Sequence, residues 1–430
     1  MPAPRADVLA ELQWRGMVHQ VTDEALGAKL AAERFVLYGG FDATADSLHV
    51  GHLVGVIGLQ RFQAAGHRPL ALVGGGTTLI GDPSGKEAER PLLSVEDIDA
   101  NVAGIRRQLE RFIDFGPGPD GGRLVNNADW LRGLGLTAFL RDVGKHFTVN
   151  TMIAKEAVRA RLEQREQGIS YTEFSYMLLQ AYDFLHLHDT EGCRLQVGGS
   201  DQWGNITAGI DLVRRLRHGE AYGLTWPLVS KADGTKFGKS ESGAVWLDPA
   251  RTSPYQFFQF WVRSDDRDVI RYVRLLTSLG REETAALEAE VAEHPERRRA
   301  QQVLAFELTA AVHGREDAEA ARRAAEALYR GELTALDERT LLDVFAEAPS
   351  TRLARTDLEG DGMLLVDLLV RADLAPSRSA ARATITGGGA YVNDRRVGEV
   401  EHRVGEADLL AGAYVVLRKG RRTYHLLRFV

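Results

Sequence analysis

Two segments of this 430-residue chain gather residue types suited to handling phosphate. The first is YGGFDATADSLHVGH, Tyr38 to His52, with a glycine pair, Asp42, Thr44 and two histidines three apart, His49 and His52. A dinucleotide loop wants Gly-x-Gly-x-x-Gly directly after a strand, with an acid about 20 residues on. Here Gly39 and Gly40 are adjacent and the next glycine is Gly51, so that reading is weak. A metal site would use His49 and His52 on one helix face, but no third ligand follows at a familiar spacing and no cysteine pair exists. The remaining chemistry is phosphate binding at a helix N-terminus, where unpaired N–H groups and the macrodipole favour an anion. Thr44, His49 and His52 would add side-chain donors. Taken alone, the segment is better explained by helix capping and two surface histidines.

The second segment is KADGTKFGKSESG, Lys231 to Gly243, a glycine-rich loop with Lys236 and Lys239 three apart. By itself it reads as a solvated basic turn. The pair is more specific than either part. A histidine-bearing helix start and a distant lysine loop can grip a triphosphate from opposite sides. The matching reaction is attack at the α-phosphate with pyrophosphate leaving, a step that needs positioning and charge neutralisation more than a general base.

Such segments need a scaffold, and the surrounding pattern predicts one. Residues 1–34 read as helical, with Leu9, Leu12 and Trp14 near one face. RFVLYGGF predicts a strand from Arg34 to Tyr38 running into a glycine turn. LHVGHLVGVIGLQRFQAAGH has helical spacing and stops at Gly66. RPLALV is a continuous apolar run emptying into glycines, as a buried parallel strand does. GRLVNN and CRLQVGG are further strand candidates, and DLVRRLRHG a helix. The alternation predicts an α/β, doubly wound, parallel-sheet (Rossmann-like) domain over residues 1–230. After it, from about Asp265, strand signals vanish and helical patterns follow one another. Residues 231–347 therefore comprise the lysine loop and an α-helical domain, and residues 348–362 a linker. Residues 363–430 form a small α+β domain, with a hairpin turning at Asn393-Asp394 and two strands in YVVLRKGRRTYHLLRFV.

Bulk properties agree with two or three domains at roughly 150 residues each. The 44% hydrophobic and 26% charged content is that of a globular protein. No run reaches the ~18 apolar residues of a membrane span, and Cys193 is the only cysteine. No intrachain disulfide can form, which fits a cytoplasmic setting. Net charge is 53 − 60 = −7. Residues 363–430 carry 11 Lys+Arg against 7 Asp+Glu, a local +4, which leaves −11 on the rest. Arg418, Lys419, Arg421 and Arg422 cluster at one turn. A basic tail on an acidic body suits an anionic partner for the tail; a solvated hairpin explains the charge equally well.

At this point the chain resembles a class I aminoacyl-tRNA synthetase. HVGH looks like that family's first signature, with valine for the usual isoleucine, and KFGKS like its second. LYGGFDATADSLHVGHL, ALVGGGTTLIGDPSGK, YTEFSYMLLQAYDFL and LQVGGSDQWGNITAG together are similar to the bacterial tyrosyl-tRNA synthetases. The resemblance runs from about Leu9 to the C-terminus. It implies that tyrosine and ATP give tyrosyl-adenylate and pyrophosphate, and that the tyrosyl group then passes to the 3′-terminal adenosine of tRNA. ATP would enter as substrate with Mg2+ on its phosphates, and no metal would be held by the protein.

The resemblance also assigns residues. Tyr38 and Asp183 match the pair on the substrate phenol. Asp82, Tyr176 and Gln180 match the binders of its ammonium, and Gln202 a contact on its carboxylate side. Asp201 matches the binder of the adenylate ribose, with Gly199 beside it. Gly40, Asp42, Thr44, His49 and His52 match the nucleotide and phosphate contacts of the first signature. Lys86, Arg90, Lys236 and Lys239 match the cations on the leaving pyrophosphate. Spacings of four and three put Tyr176, Gln180 and Asp183 on one side of a helix, flanked by Met177, Leu178, Leu179 and Phe184, as in a lined pocket. PSRSAARATITGGGAYVNDRRV resembles a small RNA-binding domain of ribosomal-protein type, which implies tRNA as the tail's partner. The family's insertion, here about Leu109 to Phe147, implies a homodimer interface.

Three positions depart from the family pattern. Ala43 stands where proline is frequent, Gly39 lacks a side chain that many members place on the ribose, and Gly55 lacks one on the helix above the nucleotide. Alternatives are a tryptophanyl-tRNA synthetase, a small-molecule nucleotidylyltransferase sharing the histidine signature, and a non-catalytic RNA-binding protein.

Overall fold

The structure is a computed structural model that describes residues 7–84, 93–155, 158–159, 162, 168–234, 237–240, 243–346, 348–420 and 423–430. Six strands build the first sheet: β1 (Gln20–Val21), β2 (Val36–Phe41), β3 (Arg68–Val73), β4 (Arg123–Asn126), β5 (Cys193–Gly199) and β6 (Tyr222–Trp226). Their spatial order is β1-β6-β5-β2-β3-β4. β1 is an antiparallel edge, and the other five strands are parallel. VLYGGF and RPLALV are apolar almost throughout because helices cover both faces of such a sheet. From β2 the chain goes to β3 on one side and later returns to β5 on the other. The crevice between the carboxyl ends of β2 and β5 is therefore the switch point, where ligands bind in open α/β sheets.

The first 34 residues are not continuously helical. Two short helices, α1 (Val8–Trp14) and α2 (Leu26–Ala32), flank β1, which pairs with β6 through Gln20↔Thr225 and Val21↔Leu224. β2 also runs further than expected. It carries both glycines to Phe41, in register with β3 through Gly39↔Ala71, Gly40↔Leu72 and Phe41↔Val73. The ladders on its two sides satisfy the backbone and outweigh glycine's preference for turns.

Three more elements position the site. α3 (Leu53–Ala64) follows the histidines and gives way to Gly66 at φ 84°. α4 (Val95–Leu109) starts at Ser94, whose side chain accepts the Asp97 N–H. The short α5 (Ala128–Leu131) follows β4. A long helix, Tyr171–Glu191, is capped by Ser170 and stopped by Gly192 at φ 66°, where a residue without Cβ adopts the left-handed region freely. The helix Trp203–Arg217 packs beside it. The lysine segment contributes a small hairpin, β7 (Lys239–Ser240) with β8 (Gly243–Ala244).

The chain divides into two compact units, Met1–Arg251 with Ser264–Leu304, and Thr252–Arg263 with Ala305–Val430. In the second unit a five-stranded sheet has the order β12-β11-β14-β15-β9. Its strands are β9 (Ser350–Leu353), β11 (Ala390–Val392), β12 (Arg395–Val397), β14 (Tyr414–Lys419) and β15 (Thr423–Phe429); β10 (Met363–Leu364) pairs separately with β13 (Arg403–Val404). Asn393 at φ 48° and Asp394 at φ 67° make the two-residue turn between β11 and β12, as their sequence predicts.

The stretch read as a linker contains β9, which pairs in parallel with β15 from Leu426↔Ser350 to Phe429↔Leu353. Its polar composition misleads because it is an edge strand burying only Leu353 fully. Leu333, Leu341 and Phe345 share one apolar cluster with Leu410, Tyr414, Val416 and Leu426, so these helices and the tail sheet have a common core. In the basic turn, Arg418 lies 3.6 Å from the centre of the Tyr391 ring and donates to Asp394 at 2.6 Å. Lys419 donates to the Leu374 carbonyl at 2.7 Å. Arg421 and Arg422 lie outside the described residues.

Candidate active site

Tyr38, in β2, and Asp183, in the long helix, are both buried, 1% and 2% exposed. The Tyr38 ring packs edge-on against Phe184 at 5.4 Å, and its hydroxyl has no hydrogen-bond partner among the described residues. A buried hydroxyl without a partner costs about 1–3 kcal/mol, a cost that an incoming polar group would relieve. Asp183, by contrast, is held from two sides. Trp130 Nε1–H donates to Oδ1 at 2.7 Å and Asn127 Nδ2–H to Oδ2 at 2.9 Å. Burial pushes the Asp183 carboxyl up to about 7, against the pull of those two donors. Burial, then the nearby Asp183 charge, drives the Tyr38 phenol well above its ordinary value.

Asn127 does more than hold Asp183. Its Oδ1 accepts the Gly76 N–H at 2.7 Å and the Thr77 N–H at 3.3 Å, and its Nδ2 also donates to Thr77 Oγ1 at 2.9 Å. The glycine loop after β3 is thereby tied to the phenol end. Neither Asn127 nor Trp130 stood out in the sequence. Their only signal is a polar pair at the mouth of a strand, in VNNADWL.

At the other end, Asp82 Oδ2 accepts from Gln202 Nε2 at 2.7 Å and Oδ1 from the Ser84 N–H at 2.9 Å. Gln202 Oε1 accepts from Gln180 Nε2 at 3.2 Å. Asn205, another residue that sequence reasoning missed, donates to both Gln180 and Gln202, at 3.0 and 3.2 Å. Four of these polar groups thus converge, and Tyr176 is buried one turn before Gln180 on the same helix. Three residues further on, about 4.5 Å along the axis, the same helix carries Asp183. Asp201 sits just past β5 with its carboxylate folded over Gly199, where a Cβ would come within 2.5 Å of Oδ1. Burial and then the Asp82 charge raise its pKa.

The histidine segment starts where β2 ends, with Gly40 and Phe41 in the strand and Asp42 beside Gly74. His49 Nδ1 accepts the Gly51 N–H at 3.0 Å, and His52 Nδ1 accepts the His49 N–H at 3.1 Å. A neutral imidazole that accepts at Nδ1 carries its proton on Nε2, so both rings are Nε2–H donors. The rings lie 3.9 Å apart. A Cβ at Gly51 would meet His49 Cε1 at 2.7 Å, so this glycine serves the ring of His49 itself. Thr44 is exposed at the loop's tip. Lys86, Arg90 and Lys236 lie outside the described residues, and of Lys239 only the backbone, in β7, is described. Among the described residues, no three His, Cys, Asp or Glu side chains are grouped to hold a metal ion.

The tRNA synthetases class I (W and Y) family model matches residues 30–330. The chain belongs to that family. The tyrosine–tRNA ligase SYY-like C-terminal domain matches residues 341–427. The tyrosine–tRNA ligase of Roseiflexus castenholzii is 56% identical over 423 residues, 98% of this chain and 99% of that protein. The Geobacillus stearothermophilus tyrosine–tRNA ligase is 53% identical over 98% of this chain and 100% of its own. A C-terminally truncated mitochondrial tyrosyl-tRNA synthetase from Aspergillus nidulans superposes with a TM-score of 0.67 at 31% identity, covering 75% of this chain and 94% of that one.

Within this class I synthetase, two of the three departures, Ala43 and Gly39, have a local account. The Ala43 N–H donates to Thr78 Oγ1 at 2.9 Å, a bond that proline could not make. Gly39 is packed between Val197 and Leu59, which a Cβ would touch at 3.4 and 3.5 Å. A Cβ at Gly55 would meet Phe41 at 3.7 Å and the Trp226 indole at 3.8 Å, ordinary contacts, so nothing in the packing explains a glycine there.

Proposed function

We propose that this chain joins tyrosine to tRNA in two steps. The tyrosine carboxylate attacks the α-phosphorus of ATP, a P–O bond forms, and the bond to the β-phosphate breaks with pyrophosphate leaving. The ribose hydroxyl of the terminal tRNA adenosine then displaces AMP from the carbonyl carbon. The observation that carries this reading is the buried Tyr38 hydroxyl, without a hydrogen-bond partner among the described residues, together with an Asp183 clamped by Asn127 and Trp130. A phenol donates to the carboxylate and accepts from Tyr38. An indole offers one donor and no acceptor, and a phenyl ring offers neither.

On this reading Asp82, Tyr176 and Gln180 take the ammonium, Gln202 the carboxylate side, and Asp201 with Gly199 the ribose. Gly40, Asp42 and Thr44 border the nucleotide. His49 and His52 donate to the phosphates, and Lys86, Arg90, Lys236 and Lys239 neutralise the leaving pyrophosphate. Mg2+ arrives on the ATP phosphates. No base is needed because the attacking carboxylate is already ionised at neutral pH.

The tail takes the tRNA backbone, and the protein works in the cytoplasm as a homodimer. Leu136, Leu140, Val149, Ile153, Leu162 and Tyr171 are exposed large apolar side chains within 36 residues of sequence, which favours a second copy as their cover. Sedimentation with Leu136→Glu checks this: a variant that stays dimeric removes that face.

Tyrosine-dependent ATP–pyrophosphate exchange tests the activity. Exchange with tyrosine and not with tryptophan or phenylalanine is expected. Exchange driven by tryptophan, or by no amino acid, would overturn the reading.

A further inference from the structure

The Asp42–His49 loop carries the proposed nucleotide contacts, yet its backbone is held by α4, which has no assigned contact to substrate. α4 meets the loop with Asn101, Gly104 and Gln108, three and four residues apart on one face. Asn101 Nδ2 donates to the Ala43 carbonyl at 2.8 Å. A Cβ at Gly104 would collide with the Asp46 carbonyl oxygen, so the helix backbone lies directly against the loop. Gln108 then grips it twice. Its Oε1 accepts the Leu48 N–H at 2.8 Å, and its Nε2 donates to Ser47 Oγ at 2.9 Å.

Ser47 is buried and passes the contact on. Its hydroxyl donates to the Leu48 carbonyl at 2.7 Å and accepts the Asp248 N–H at 3.2 Å. One hydroxyl has one proton and two lone pairs, and all three are used here. Asp248 follows the strand-like stem that leaves the lysine segment. Leu247 N–H donates to the Leu48 carbonyl at 2.8 Å, and Val50 N–H to the Val245 carbonyl at 2.9 Å. Val245 N–H donates to the Gly238 carbonyl at 3.1 Å. The histidine and lysine segments are thus joined along one seam, with the Gln108–Ser47 pair at its end.

We infer that Gln108 is a positioning residue for adenylation, fixing through Ser47 and Leu48 the register between the histidine segment and the stem of the lysine loop. It touches no reacting atom. Its effect falls on the α-phosphate step and not on the tyrosine pocket, whose proposed side chains come from β2, the loop after β3, the long helix and the start of the Trp203 helix. The inference rests on the adenylation reading proposed above.

Gln108→Met keeps the side chain's length and removes the amide; Gln108→Glu keeps the acceptor for Leu48 and loses the donor to Ser47. The expected result for Gln108→Met is about a tenfold fall in exchange kcat or more, with equilibrium tyrosine binding, measured without ATP, within about twofold of wild type. Gln108→Glu falls between the two. Adding Ser47→Ala to Gln108→Met is expected to cost less than the product of the single effects, because both act through one seam. Full exchange in Gln108→Met, an equal loss of tyrosine binding and exchange, or multiplicative effects in the double variant would each overturn the inference. Absence of exchange in the wild type is a separate result, and it would reject the adenylation reading itself.

Discussion

Trp130 donates its indole N–H to Asp183 Oδ1 at 2.7 Å; burial, and then the charge of the carboxylate so held, raise the pKa of the Tyr38 phenol, whose hydroxyl has no hydrogen-bond partner among the described residues. The two donors on Asp183 come from the end of β4 and from α5, more than 50 residues earlier in the chain. The polarity of the phenol end is therefore set by tertiary contact.

Discrimination against phenylalanine follows from that geometry. Tyr38→Phe removes one of the two groups proposed to bind the substrate phenol. The ratio of exchange efficiency, tyrosine over phenylalanine, is expected to fall about tenfold or more, in line with the loss of one buried hydrogen bond. An unchanged ratio in both Tyr38→Phe and Asp183→Asn would refute the pocket assignment.

The pH dependence has two signs. Asp183 holds its proton up to about 7 in the folded chain against an ordinary 3.8, so between these values the folded chain binds more protons than the unfolded one. This group's contribution to stability is full below the lower value and is lost as pH rises through about 7. Tyrosine binding runs the other way, because the carboxylate must accept the phenol proton. Affinity is expected to weaken as pH falls below about 7, by up to about tenfold per pH unit. Trp130→Phe removes a donor that favours the charged form, and the midpoint should move up. Titration calorimetry from about pH 8 to about pH 5.5 measures both; a flat profile contradicts the role.

Gly51→Ala separates the nucleotide side from the amino-acid side. The added methyl would overlap the His49 ring at 2.7 Å and push the imidazole out of place. Exchange kcat is expected to drop by about a hundredfold, while tyrosine binding stays near wild type. Wild-type exchange in this variant would mean that the His49 position is not needed.

Ala43 and Thr78 form a pair that a cycle of variants can resolve. Ala43→Pro leaves Thr78 Oγ1 without the N–H it accepts. A loss of about 1 kcal/mol in denaturant unfolding is expected, and it should largely vanish when Thr78 is already Gly. Additive losses would show that the proline is resisted for another reason.

Truncation after Glu359 would remove β15 from β9 and strip Leu410, Tyr414, Val416 and Leu426 from their cluster with Leu333, Leu341 and Phe345. Loss of tRNA charging with retained tyrosine-dependent exchange is expected, with a melting temperature lower by roughly 5 °C. If exchange also disappears, the tail is needed for the catalytic body and not only for tRNA.

The sequence by itself determined the alternation of strands and helices, the helical run after Asp265, the Asn393-Asp394 turn and the residue types of the proposed chemistry. These are local properties, written in apolar period, glycine placement and charge. It did not show that β2 continues through Gly39 and Gly40, or that Ser350–Leu353 is a strand, because pairing partners supply that stability from elsewhere in the chain. Nor did it single out Asn127, Trp130, Asn205 or Gln108. Asn127, Trp130 and Gln108 are single polar side chains with no motif around them, and their partners lie far off, 56 residues away for Asn127 and Asp183 and 60 for Gln108 and Leu48; Asn205 lies inside LQVGGSDQWGNITAG, but its bond to Gln180 spans 25 residues. A buried polar group acquires its role from what the fold brings within about 3 Å of it, and only the tertiary structure decides that.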